Sequence, residues 1–186
     1  MHRFPYGVGR SAALVIGAAL LGVSAVGCSS SEPKRAYAVP ADLCGTKVPG
    51  SALTPLLPPG KKAVQEPSAA VGVQRCRLKV DGEVALSTSV EKRAADVSAQ
   101  DVAQSAEGVE PTDTASGDGQ YVYGKSGAVG RVACPSSSGK ADSGKADRSI
   151  WVTARVSEAA DDAKDLLGFV KAYAEATAGT DACTKL

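Results

Sequence analysis

The chain of 186 residues has one histidine and one methionine, and both stand at its start, as His2 and Met1. These two residues lie in a segment that is predicted to be removed from the mature protein. The mature chain then has no Ser-His-Asp or Cys-His catalytic site, because each needs a histidine. The sequence also lacks a Cys-x-x-Cys pair, so no metal site is predicted.

Large apolar residues and net charge are also scarce. From Cys28 onward, Leu, Ile, Val and Phe account for 28 of 159 residues, below the roughly 20% at which disorder becomes a concern. The same stretch carries 19 basic and 20 acidic side chains, whereas disordered chains usually carry a high net charge. A folded domain with a small core is predicted. Nucleic acid is excluded as a partner, because a near-neutral chain lacks the basic surface that phosphates require.

The first 27 residues have the pattern of an export signal. Met1–Arg10 contains two arginines and no acid, and the next 16 residues are small and apolar without a charge. Sixteen residues are few for a membrane-spanning helix, which needs about 20. A basic start, a short apolar stretch and small residues before a cleavage point are instead typical of a signal peptide.

Cys28 is the predicted site of lipid attachment. Ala25-Val26-Gly27-Cys28 resembles a bacterial lipobox, in which the cysteine receives diacylglycerol and becomes the new N-terminus, although Ala25 stands where leucine is usual. The polar residues that follow predict a flexible tether over 28–38 and then a single domain over 39–186. The protein is therefore expected on the extracytoplasmic face of the cell membrane. The alternative is an ordinary secretory signal followed by a cysteine with no such role.

Four further cysteines predict two disulfides. An even number of cysteines in an exported chain indicates a disulfide framework, and four cysteines allow three connectivities. Pairing neighbours along the chain predicts Cys44–Cys76 and Cys134–Cys183. Two such bridges would stabilise a domain whose core is small.

The clearest strand signal is Val73–Val90, where apolar and polar residues alternate around Asp81-Gly82. A two-residue Asp-Gly turn would place Leu78 opposite Ala85. A three-residue loop of Val80, Asp81 and Gly82 keeps the leucines on one face, and it is the predicted form. On the other face, Arg75, Arg77 and Lys79 form a row that is either a patch for an anionic ligand or a solvated surface.

Further patterns complete the predicted fold. Leu53, Leu56 and Leu57 are expected in the core, Ser98 and Asp101 suggest a capping box that opens a short helix, and an apolar stripe predicts a helix over 160–178. Strands are predicted over 121–123, 128–134 and 149–156. This order of elements describes an α+β fold, in which helices pack on an antiparallel sheet.

Aromatic residues supply the candidates for binding. Trp151 is the only tryptophan and is predicted to pack beneath a helix. Tyr121 and Tyr123 lie on one side of a short strand beside polar loops, so they are the candidates for exposed aromatic contacts.

No catalytic residue or cofactor site is predicted. Residues 139–146 are one residue short of a phosphate-binding P-loop, because Ala146 stands where serine or threonine should reach magnesium. Carboxylate pairs depend on spatial separation, and nothing in the sequence selects one. The leading interpretation is thus a non-enzymatic module that binds an envelope protein or a small ligand. The alternative is a carboxylate-dependent hydrolase that acts on envelope material.

A family resemblance agrees with this interpretation. The chain resembles small actinobacterial cell-envelope lipoproteins, a group known mostly as domains of unknown function, in five short segments: Leu43-Cys44-Gly45, Leu56–Gly60, Arg75–Gly82, Ala133-Cys134-Pro135 and Trp151–Ala154. The resemblance implies export, lipidation, two disulfides and an α/β sandwich. It implies no catalytic residues.

Replacing Cys28 by serine tests the predicted anchor. We expect Cys28→Ser to move the protein from the membrane fraction to the soluble fraction, because stable anchoring depends on the acyl chains. Fractionation of cells followed by immunoblotting measures this, with Ser29→Ala as the control. Equal membrane partitioning of Cys28→Ser and the control would rule out the lipid anchor.

Overall fold

An antiparallel sheet of seven strands forms the framework of the computed structural model. The structure describes residues 34–110, 112–135 and 148–186, so the predicted signal peptide, Cys28 and the segment 139–146 lie outside it. Its strands are β1 (Asp42–Leu43), β2 (Thr46–Lys47), β3 (Ala63–Ala70), β4 (Val73–Val80), β5 (Glu83–Ala94), β6 (Thr114–Ala115), β7 (Tyr121–Tyr123), β8 (Gly127–Arg131) and β9 (Arg148–Val156). Its helices are α1 (Gly50–Leu53), α2 (Ala99–Ser105), α3 (Ala163–Ala178) and α4 (Ala182–Lys185).

The strand order of the sheet is β3-β4-β5-β9-β8-β7-β6, and every neighbouring pair is antiparallel. The first two strands form a separate ribbon. The pair β5–β9 joins distant parts of the chain, with Leu86 opposite Val156 and Ala94 opposite Arg148. Helices packed on an antiparallel sheet confirm the predicted α+β class.

The two faces of the sheet carry different cores, because successive side chains of a strand point to opposite faces. The main core contains Leu78, Leu86, Val152 and the buried residues of α3. On the opposite face a smaller core joins α2 to the sheet through Ala99, Val102, Ala103, Val122, Val129 and Trp151. Trp151 was predicted to pack beneath a helix. Its side chain is buried against α2, which confirms the prediction.

The long helix α3 covers the main core. Its side chains Leu166, Val170 and Tyr173 are buried, as the apolar stripe predicts, and Phe169, which the predicted stripe omits, is buried with them. The ring of Phe169 stacks on that of Tyr173 with a centroid distance of 5.7 Å. Asp162 caps the helix by accepting a hydrogen bond from the backbone of Lys164. Within the described residues, no helix is both long and apolar enough to cross a membrane.

The turn between β4 and β5 differs from the predicted three-residue loop. Val80 lies opposite Glu83, so Asp81 and Gly82 alone form the turn, and both have positive φ angles, 51° and 96°. This is the pattern of a type I′ hairpin. The register then shifts by one residue, so that Leu78 lies opposite Leu86. The prediction was wrong because the extra residue is placed within β5, as a bulge that leaves both leucines buried.

The edge strand β3 was not predicted from the sequence. It contains Pro67 and is mostly exposed, which hides the alternation that identifies a half-buried strand. Proline is tolerated at the edge of a sheet, where one side of the strand needs no partner. Arg35 lies within the predicted tether, yet it contacts the domain: its guanidinium donates to the carbonyls of Thr54 and Leu57.

Both predicted disulfides are confirmed. Cys44–Cys76 joins the turn of the β1–β2 ribbon to β4, with a sequence separation of 32. Cys134–Cys183 joins the segment after β8 to α4, with a separation of 49. Each bridge therefore closes a long loop that the unfolded chain would otherwise sample freely.

Removing the Cys134–Cys183 bridge tests its contribution to stability. We expect the double variant Cys134→Ala/Cys183→Ala to lose about 2–4 kcal/mol of unfolding free energy, because its unfolded chain regains the entropy of a long loop. Urea denaturation under oxidising conditions measures the change. Wild type in a reducing agent is the comparison and should lose at least as much. An unchanged unfolding midpoint in both samples would contradict the assigned role.

Candidate functional site

A polar groove of about 510 Å³ lies on the face of the sheet opposite α3, next to α2. Four arginines and two glutamates line it, together with hydroxyl side chains: Arg75, Arg77, Arg93, Arg155, Glu91, Glu107, Ser87, Ser89 and Thr153. Four arginines against two glutamates give the groove a net charge of +2. A net charge of +1 for the whole chain means that this surface is more basic than the protein as a whole.

Strand register arranges six of these residues in two rows across β4, β5 and β9. One row is Arg75, Ser89 and Thr153, and the other is Arg77, Ser87 and Arg155. Adjacent strands are about 5 Å apart, and residues two positions apart on one strand are about 7 Å apart. The small side chain of Ser87 therefore lies between two long ones, at the floor of the groove.

The floor is held by hydrogen bonds between β5 and β9. The hydroxyl of Ser89 donates to Glu91 Oε1 at 2.8 Å and lies 2.7 Å from the hydroxyl of Thr153. Because serine has one proton to donate, Thr153 donates to Ser89. Ser87 makes no side-chain hydrogen bond to any described residue, so its hydroxyl is available.

Two of the four arginines are paired with glutamates. Arg93 contacts Glu91 at 2.6 Å, and Arg155 contacts Glu107 at 2.7 Å. The guanidinium of Arg93 also donates to Ser105, while its buried Nε has no partner among the described residues. Arg75 and Arg77 are exposed, and neither forms an ion pair with any residue that the structure describes.

The wall of the groove is the C-terminal end of α2. A capping box opens this helix: Ser98 accepts from the backbone of Asp101, whose carboxylate accepts from the backbone of Ser98. The hydroxyl of Ser98 also donates to Asp101 Oδ2 at 2.6 Å, and this hydrogen bond, together with the one from the Ser98 backbone, lowers the pKa of Asp101. After the helix, Gly108 has a φ of +81°, and a Cβ there would lie 2.9 Å from Cγ of Arg155. Glycine therefore allows the loop to pack directly against the stem of Arg155.

The row predicted from the sequence is divided by the structure. Arg75 and Arg77 line the groove, whereas Lys79 pairs with Glu66 at 2.9 Å. Sequence analysis missed Ser87 and Arg93, which lie on β5, and the residues of β9. Ser87 joins the row through the β4–β5 register, and Thr153 and Arg155 join it only through the β5–β9 pairing. The polar positions of β9, which alternate with its buried residues, were the available signal.

The two candidate tyrosines lie elsewhere. Tyr121 and Tyr123 are half-buried and pack against the main core, on the face that α3 covers. Lys171 stands 5.3 Å from the ring centre of Tyr121, and burial is the main cause that raises the pKa of this tyrosine. Neither tyrosine lines the groove.

A second cavity, of about 370 Å³, lies beside the Cys44–Cys76 disulfide. The buried Tyr173 lines it, the hydroxyl of this tyrosine accepts a hydrogen bond from Thr88, and burial raises its pKa. Arg75 lines this cavity as well as the groove. The groove is the better candidate, because it adds Arg77, a second arginine that forms no ion pair with any described residue, and the hydroxyl of Ser87. Among the residues that the structure describes, no group of three or more side chains is placed to hold a metal ion.

Removing the cap of α2 tests whether it supports the groove wall. We expect Ser98→Ala to lower the unfolding free energy by about 1 kcal/mol. The hydrogen bond from the Ser98 hydroxyl to the Asp101 carboxylate, which lowers the pKa of Asp101, contributes one part of this difference. That part is present above the ordinary carboxyl pKa, about 4, and is lost as the pH falls through the lower folded value. Urea denaturation at two pH values measures both effects. The exposed Gln104→Ala on the same helix is the control, and equal stabilities of the two variants would contradict the capping role.

Comparison of the chain with protein-family models, with curated proteins and with solved structures found no match in any of the three. The chemistry of the groove therefore carries the functional proposal.

Proposed function

We propose that the protein is a lipid-anchored extracytoplasmic lipoprotein and a non-catalytic binding module of the cell envelope, related to the small actinobacterial lipoproteins that its sequence resembles. Its ligand is an anion that binds in the arginine groove. The observation that carries this proposal is the pair Arg75 and Arg77, two adjacent guanidiniums in a concave site that form no ion pair with any described residue.

The extracytoplasmic location has two supports. The sequence before Cys28 has the pattern of an export signal with a lipobox. The two disulfides suit an oxidising compartment, since reducing pathways keep cytosolic cysteines as free thiols. The lipid would hold the domain at the membrane, where ligands of the envelope are close.

Binding is supported by the rigidity of the groove. Its floor consists of paired strands, and Ser89 and Thr153 are joined by a hydrogen bond. Hydrogen bonds between arginine and an anionic oxygen are shorter and stronger than neutral ones, and the guanidinium presents two parallel donors. The paired strands fix the backbone positions of these arginines, so only their side chains lose conformational freedom when the ligand binds.

A hydrolase that uses Glu91 and Glu107 is the alternative, because both carboxylates line the groove. A glycosidase needs one carboxyl group that carries a proton and a second that acts as base or nucleophile. Here each carboxylate already forms an ion pair with an arginine, and Glu91 accepts a hydrogen bond from Ser89 as well. This arrangement favours a role in holding the arginines, so a binding function is the better supported of the two.

Replacing both unpaired arginines tests the binding proposal. We expect Arg75→Ala/Arg77→Ala to weaken binding of small anions at least tenfold, because each charged hydrogen bond contributes about 1.5–3 kcal/mol and 1.4 kcal/mol is a factor of ten. Isothermal titration calorimetry with inorganic phosphate, sulfate and acetate measures the affinity.

Lys164→Ala is the matched control, since this exposed lysine lies on α3, which covers the other face of the sheet. It should bind the anions as the wild type does. Wild-type protein that binds none of the three anions, or a double variant as tight as the control, would overturn the proposal.

A further inference from the structure

Three of the groove arginines surround one available hydroxyl. Arg77 and Arg155 lie on either side of Ser87 in the same row, and Arg75 is two residues from Arg77 on β4. We call Arg75, Arg77 and Arg155 the arginine triad. Strand spacing places Arg77 and Arg155 about 10 Å apart at their Cα atoms, which is close enough for both long side chains to reach one group above Ser87.

The third member of the triad is held by a carboxylate that is easily displaced. The Arg155–Glu107 pair is exposed, with 46% and 78% of the two side chains accessible. Exposed ion pairs of this kind contribute little, because water screens both charges. A stronger anion in the groove can therefore take the place of Glu107 on Arg155.

We infer that the ligand group bound by the triad is a phosphate monoester, an inference that rests on the proposed function. A carboxylate has two oxygens and one charge, which satisfy a single guanidinium through two parallel hydrogen bonds. A phosphoryl group has three oxygens and a charge between −1.5 and −2 at about pH 7. With one more acceptor oxygen and up to twice the charge, the phosphoryl group engages all three arginines more completely than a carboxylate does, and it neutralises the two that have no acid partner.

The hydroxyl of Ser87 completes this site. The hydroxyl of Ser89 donates to Glu91, and that of Thr153 donates to Ser89. Both protons are therefore in use, and these two residues form the floor without donating to the ligand. Ser87 is half-buried between Arg77 and Arg155 and has its proton available for an anionic oxygen. It is assigned as a fourth donor to the phosphoryl group.

Two probes that share a carbon skeleton test the ligand class. Calorimetry should give an affinity for glycerol 3-phosphate at least tenfold higher than for glycerate, which carries a carboxylate instead. Arg155→Ala should remove most of this preference and leave glycerate binding nearly unchanged. Equal affinities of the wild type for the two probes would overturn the phosphate inference and leave the anion-binding proposal standing. No binding of either probe, together with no binding to the phosphatidic acid vesicles described below, would overturn both.

Glu107→Gln supplies a second test, with a gain of affinity that damage to the fold would not produce. Because the glutamate competes with the ligand for Arg155, this variant should bind glycerol 3-phosphate severalfold more tightly. Glu110→Gln is the control, an exposed acid three residues away that does not line the groove. Unchanged or weaker binding by Glu107→Gln would contradict a phosphate at Arg155.

A phosphate monoester reaches the envelope in soluble form or as a lipid headgroup. Sedimentation with phosphatidylcholine vesicles that contain phosphatidic acid distinguishes these sources, using the domain without its lipid and Arg75→Ala/Arg77→Ala as the control. Binding that needs the vesicle assigns the headgroup, and binding of glycerol 3-phosphate in solution assigns the soluble ester. Protein that binds neither would overturn the inference.

Discussion

The pairing of β5 with β9 is the constraint on which both faces of this protein depend. It brings Ser89 and Thr153, 64 residues apart in the chain, to 2.7 Å. Because side chains alternate along each strand, the same pairing sets Val90 beside Val152 under the main core. A slip of one residue would send the apolar side chains into the groove and the polar ones into the core.

The unequal covering of the sheet explains why a groove exists. On one face, the 16-residue helix α3 is long enough to cover the central strands. On the other, the seven-residue helix α2 covers Trp151 and its neighbours only. The part of the sheet that α2 does not cover faces water, and the residues at these positions are polar, among them Arg75, Arg77 and Ser87. Charged and hydroxyl side chains on paired strands are held in fixed positions, as a binding site requires.

Much of the fold was predictable from local patterns. The alternation in β4 and β9, the stripe of α3 and the capping box of α2 each depend on residues a few positions apart, so the sequence displays them directly. The missed features are those in which local signals conflict. Pro67 and its exposed neighbours conceal β3, and the bulge in β5 shifts the register at a site where Asp81-Gly82 alone indicates a simple turn.

Residue order along the chain was enough to predict most of the elements, the two disulfide pairs and the outward row that contains Arg75 and Arg77. It could not establish that Arg75 and Arg77 share one groove with Arg155 and Ser87, or that Lys79 forms an ion pair with Glu66. Those neighbours come from distant strands, and their positions depend on which strands pair and in which register. Such pairing is settled by the burial of the whole core, since no short segment carries enough apolar surface to determine it alone.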